Sequence, residues 1–158
     1  MRVLVVGATG FVGSRLVEAL VTAGHEVVAF SRSASRSDFT EEVEIFEGDL
    51  GDPASLEGLC DGIDVAYYLI HSLTAKNFAE LDRTYARRFR ERASAAGVDR
   101  VVYLSGISGD ERNLSPHLAS RREVESVLES GSFDLTVLRA AIRSEERRVG
   151  KECPSPCR

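Results

Sequence analysis

Short apolar runs alternate along this chain with longer stretches in which apolar residues recur every three or four positions. The first run, Arg2 to Val6, reads R-V-L-V-V and predicts a buried strand. Phe11 to Ala23 then puts Val12, Leu16, Ala19 and Leu20 on one helical face, and Gly24 stands where a left-handed cap closes a helix. Later apolar runs predict strands over Glu26–Phe30, Val43–Phe46, Asp64–Ile70, Arg100–Ser105 and Asp134–Leu138. Helical spacing predicts a short helix over Pro53–Cys60 with Asp52 as its cap, and a long one over Ala75–Ala96 ended by Gly97. A third, over Pro116–Glu129, is capped by Ser115. Strands alternating with helices predict an α/β fold with a doubly wound parallel sheet in the order 3-2-1-4-5-6. Its ligand crevice lies where that order reverses.

The turn out of the first strand, G-A-T-G-F-V-G, carries the chemistry. Gly7 lets the chain turn sharply, Gly10 lets a phosphate approach the backbone, and Gly13 lets the helix pack closely on the strand. The first helical turn points unpaired N–H groups and the positive dipole end at an anion. The segment Gly7, Thr9, Gly10, Phe11, Val12 and Gly13 is therefore the candidate seat of a dinucleotide pyrophosphate.

Composition narrows the picture. A chain of 158 residues with 43% hydrophobic and 28% charged residues suits one soluble globular domain. The net charge of -5 argues against a general nucleic-acid surface. No apolar run approaches the roughly 20 residues that span a bilayer. Met1-Arg2 leads straight into the first strand, which predicts no leader, and three cysteines predict no disulfide framework; both point to the cytoplasm.

From Arg143 the sequence reads R-S-E-E-R-R-V-G-K-E-C, which resembles the in-frame translation of a widely used DNA-sequencing adapter. The expectation is a dinucleotide-binding domain over residues 1–142, incomplete at its C-terminus, and a non-native, disordered tail over 143–158, with the natural gene continuing past Ile142. Cys153 and Cys157 fall in that tail and are not read as metal ligands.

The G-A-T-G-F-V-G turn, the G-D-L after strand 3 and the A-G-V-D-R-V-V-Y-L-S entry to strand 5 resemble the short-chain dehydrogenase/reductase superfamily. Within it the chain is similar to the extended and atypical branches, NmrA-like and epimerase-like proteins included; Y-Y-L-I-H-S and L-S-P-H-L-A-S-R resemble one atypical NAD(P)-binding group. The resemblance implies a Rossmann domain, an adenine bounded by Asp49 and Leu50, and a smaller substrate region after strand 6 that is missing here. It also allows a homodimer through the 75–96 helix. The arginines of that helix (Arg83, Arg87, Arg88, Arg90, Arg92) otherwise read as a solvated face with i,i+4 pairs.

Strand 2 ends Phe30-Ser31-Arg32, with no acid where NAD-selective sites carry one. Arg32 would oppose a 2′-phosphate, so NADP(H) is favoured over NAD(H), with a solvated loop charge as the alternative. Leu69, Ile70 and His71 end strand 4 and are expected to line the crevice beside the nicotinamide ribose, although His71 reads equally well as a loop residue without a role.

Catalysis is less regular. The resemblance implies a serine at the end of strand 5, which Ser105 matches, and a Tyr-x-x-x-Lys pair on the next helix. That slot reads His117 and Arg121. Arg121 can hold a ribose but cannot titrate, whereas His117 can exchange a proton near neutrality. Tyr85 lies at the wrong place for the motif, and Tyr103 reads as core. Two functions stay open. One is an NADP-dependent oxidoreductase or epimerase-like enzyme acting on a carbonyl or alcohol whose identity is unknown. The other is an NADP(H)-binding sensor or assembly factor without turnover, in the NmrA-like manner.

Overall fold

In the computed structural model, which describes residues 1–33, 39–72, 77–107 and 114–140, six strands form one parallel sheet. They are β1 (Arg2–Val6), β2 (Glu26–Ser31), β3 (Val43–Glu47), β4 (Val65–Tyr68), β5 (Arg100–Gly106) and β6 (Asp134–Ala140). Their order is β3-β2-β1-β4-β5-β6, the Rossmann arrangement read from the alternation of patterns. The order reverses between β1 and β4, where Val3 pairs with Val65 and Val6 with Tyr68. The crevice opens at the carboxyl ends of these two strands.

Among the described residues three α-helices cover the sheet: α1 (Phe11–Thr22), α2 (Phe78–Ala96) and α3 (Pro116–Glu129). β1 sends Val3 and Val5 to the α1 side and Leu4 and Val6 to the α2 side, so it is buried on both faces. The larger core, between the sheet and α2 with α3, is built on Tyr68, Tyr103, Phe89 and Leu128. The α1 layer is smaller and reaches from β3 only as far as Tyr67 and Leu69. Beyond them, Val102 on β5 pairs with Thr136 on β6, and Leu104 with Leu138. These residues belong to neither core, and Leu138 is 51% exposed. Among the described residues no helix lies over that strip.

The predicted helix over Pro53–Cys60 is instead a 3-10 turn, Pro53–Leu56, started by Asp52, whose side chain accepts from the Ala54 N–H at 3.1 Å. It stops at Leu56 because Glu57 takes an extended backbone with ψ 129°, and Gly58 then turns left-handed at φ +76°. α2 starts at Phe78 with Asn77 as its N-cap. Residues 73–76 lie outside the described residues, as do Arg36, Asp38 and the whole 143–158 tail with Cys153 and Cys157. No helix among the described residues is long and apolar enough to cross a membrane.

Four of the five α2 arginines depart from the sequence reading, whereas Arg87 is exposed as that reading expects. Arg83 pairs with Glu123 of α3 at 3.1 Å, and Arg90 reaches Ser130 at 2.9 Å. Arg88 donates to the Leu50 carbonyl at 2.6 Å and Arg92 to the Pro53 carbonyl at 3.1 Å. A guanidinium on a long stem reaches a neighbouring element as easily as a residue one turn along its own helix. These arginines therefore tie α2 to α3 and to the loop after β3.

Candidate functional site

Two backbone conditions build the turn between β1 and α1. Gly7 has φ +97°, a left-handed value that side chains rarely adopt. A Cβ on Gly13 would overlap the Gly7 carbonyl oxygen and come within 2.8 Å of the Ala8 Cα. Gly10 differs: a Cβ there would meet only the Gly7 carbonyl, at 3.3 Å, so its outer face is open. Gly10 is also the N-cap of α1 and has no side-chain cap, whereas Ser115 caps α3 by accepting from the Leu118 N–H at 3.4 Å. The first turn of α1 thus presents backbone N–H groups and the positive dipole end outward. Phe11, 40% exposed, sits beside it with the Arg15 guanidinium 3.8 Å above its ring, and Val12 is half-buried.

This turn opens into a cleft of about 350 Å³, lined by Gly7 and Thr9, by Phe30, Ser31 and Arg32 at the tip of β2, and by Asp49 and Leu50 after β3. Ile70, His71 and Ser72 after β4 complete it with Leu81 and Tyr85 of α2. Arg32 is exposed at its rim. Asp49 Oδ1 accepts from the Gly51 N–H at 2.7 Å, so one carboxylate oxygen folds its own loop. Leu69 lies beneath Gly7, its Cβ 3.3 Å from where a Gly7 Cβ would stand, and packs with the α1 layer. A larger hollow, about 660 Å³, lies between α1 and the start of β3. It shares only Thr9 with the glycine turn and flanks α1 rather than facing its N-terminus, so the smaller cleft is the candidate site.

Ser105, His117 and Arg121 do not line that cleft. Ser105 is buried under α3. Arg121 is half-buried and donates to the Leu104 carbonyl at 3.0 Å, while its own carbonyl accepts from the Tyr103 hydroxyl at 3.3 Å. Burial pushes the Tyr103 phenol up to about 12, against a partial offset from the Arg121 charge. His117 is exposed, its ring 4.9 Å from that of Phe78 at the start of α2. Tyr68 is fully buried, and desolvation holds its phenol well above the ordinary range. Tyr85 and Leu81, passed over in the sequence, form the α2 side of the cleft. Their spacing of four along one helix face was the available signal.

A glycine turn at an uncapped helix N-terminus, placed at the switch point of a doubly wound sheet, defines a dinucleotide-binding domain. The chain belongs to the NAD(P)H-binding family, which it matches over residues 7–155. It is 33% identical over 142 residues to the ceramide reductase of Caulobacter vibrioides, covering 87% of this chain and 44% of that protein. It is 28% identical over 148 residues to the photosystem II assembly factor Ycf39 of Synechocystis, covering 89% of this chain and 44% of that one. In structure it is similar to the Citrobacter triphenylmethane reductase solved with NADP(H), with a TM-score of 0.80 and 21% identity over 92% of this chain and 51% of that chain. The chain thus spans about half the length of these relatives.

Proposed function

We propose that this chain is the NADP(H)-binding half of an oxidoreductase acting on a carbonyl or alcohol substrate. The observation that carries the reading is that the Gly7–Thr9 turn, which leads into the uncapped α1 N-terminus, lines one cleft together with Arg32. The open side of Gly10 leaves room for a phosphate against the backbone, so the residues present fit the cofactor. Gly7 to Gly13 would hold the pyrophosphate, Arg32 the 2′-phosphate, and Asp49 with Leu50 the adenine. Ile70 and His71 would flank the nicotinamide ribose. When bound, NADPH supplies a hydride. Arg32, which has no acid beside it on the strand tip, favours the doubly charged 2′-phosphate through charge-assisted hydrogen bonds. His117, exposed at the start of α3, is the group able to exchange a proton with substrate.

Calorimetry with NADP and NAD tests the cofactor assignment. Arg32→Ala is expected to weaken NADP about tenfold, the loss of one charge-assisted contact, and to leave NAD unchanged. Equal NADP affinity in both proteins removes Arg32 from the site.

A second reading, NADP(H) binding without turnover, is favoured by the packing of His117 on Phe78 and of Arg121 on the Leu104 carbonyl. A protein of the relatives' full length, given NADPH and a carbonyl panel, separates the two. Sustained oxidation that depends on His117 supports the reductase; tight binding with no oxidation supports the second reading.

A further inference from the structure

Helix α2 approaches the cleft along a single face. Asp82, Tyr85 and Arg88 follow one another at three-residue spacing, which keeps them adjacent on the helix. Asp82, only 5% exposed, uses one carboxylate oxygen to accept from the Ser72 N–H at 2.7 Å, fixing the loop after β4. Its other oxygen accepts from the Ser120 hydroxyl of α3 at 3.4 Å. Arg88 holds the loop after β3 through the Leu50 carbonyl. Tyr85 stands between these two anchors, half-buried, in the wall of the cleft. Its hydroxyl reaches 3.6 Å from where a Cβ of Gly51 would lie, so the ring spans the gap between α2 and the loop after β3. Leu50 and Leu81 line the same cleft and give it apolar surface beside this ring, and Gly7, Thr9 and Arg32 line it too.

We propose that Tyr85 is a contact residue for the adenosine end of the dinucleotide, and that Asp82 and Arg88 are positioning residues which hold the two loops facing it. The proposal rests on the dinucleotide reading given above. A flat heterocycle fits an apolar slot bounded by an aromatic ring, and a ring contact of that kind discriminates poorly between bases. Arg32 therefore sets selectivity for the phosphate, and Tyr85 adds affinity common to NADP and NAD.

The test is calorimetry of the chain with adenosine 2′,5′-bisphosphate, NADP and NAD, with thermal unfolding recorded on each variant. Tyr85→Leu keeps apolar volume and removes the ring; it is expected to weaken all three ligands by about tenfold, the worth of one base–aromatic contact. Tyr85→Phe keeps the ring and is expected to stay within about threefold of the parent, the loss of at most one weak hydroxyl contact. Asp82→Ala is expected to weaken the same ligands, and Asp82→Asn to restore them, because an amide oxygen still accepts from the Ser72 N–H. A merely structural role would lower the unfolding temperature of Asp82→Ala without a loss of affinity that Asp82→Asn rescues. Parent-like affinity for all three ligands in a folded Tyr85→Leu overturns this proposal and leaves the dinucleotide reading standing. Failure of the parent chain to bind any of the three overturns both.

Discussion

The two sides of the crevice are built from different materials. On the α1 side the site is backbone: a left-handed Gly7, an open Gly10 and a helix whose N-terminus has no side-chain cap. On the α3 side the helix is capped by Ser115, Arg121 is bonded to the Leu104 carbonyl, and Ser105 is buried. One side leaves its hydrogen-bonding groups turned outward; the other satisfies them within the protein. An anion-binding site needs the first condition, because a donor already paired inside the fold offers a ligand little. The α1 turn therefore has the open backbone that an anion site requires, whereas the α3 side, among the described residues, is packed as structure.

The strongest way to break the comparison is Gly13→Val. Its Cβ has no space against Gly7 and Ala8, so stability is expected to fall by about 3 kcal/mol or more, read by denaturant unfolding. Parent-like stability would show that the turn is not packed as described.

An alkaline titration sharpens the α2 and α3 side. Burial lifts the Cys60 thiol from 9.0 to about 12, with the Asp61 charge adding to the effect, and lifts Tyr103 from 10.0 to about 12. Both groups are neutral in the folded chain and ionise earlier when unfolded. The stability they contribute is complete below pH 9 and is lost as pH rises from there towards 12. Phenol absorbance is expected to show Tyr103 ionising together with unfolding; ionisation of all four tyrosines near pH 10 in a folded chain would contradict the burial.

Arg121→Met comes next. It removes the bond to the Leu104 carbonyl, and is expected to cost about 1–2 kcal/mol of stability while NADP affinity stays within about twofold. The reverse pattern, lost affinity at full stability, would return Arg121 to the cofactor. His117→Ala has the smallest expected effect, below about 1 kcal/mol, from loss of a partly exposed ring contact with Phe78. Thermal unfolding of the two proteins measures it.

Legibility in the sequence follows the same division. The six strands and their order were readable because each is a short apolar run and the alternation with helices permits few topologies. The glycine turn was readable because a backbone that needs a missing Cβ can be encoded in only one way. The Pro53–Leu56 turn is shorter than its apolar positions suggest because Glu57 is extended and Gly58 left-handed, and neither conformation shows in the apolar spacing. Arg88 was misread because sequence spacing shows neighbours on the same helix and not the Leu50 carbonyl brought there by folding. Tyr85 falls outside the catalytic motif's spacing, which assigns it no role there, whereas its place on α2 puts it in the cleft wall.

The central claim is that the open Gly10 face at the α1 N-terminus is where the dinucleotide binds. It is tested most directly by titrating NADP into the parent chain and Gly10→Val, with thermal unfolding of each recorded in parallel. A Cβ at Gly10 meets only the Gly7 carbonyl, at 3.3 Å, so the variant is expected to stay folded. The parent is expected to bind, and the variant to lose at least about tenfold in affinity as its side chain occupies the phosphate position. A folded Gly10→Val that binds NADP as tightly as the parent would contradict the account.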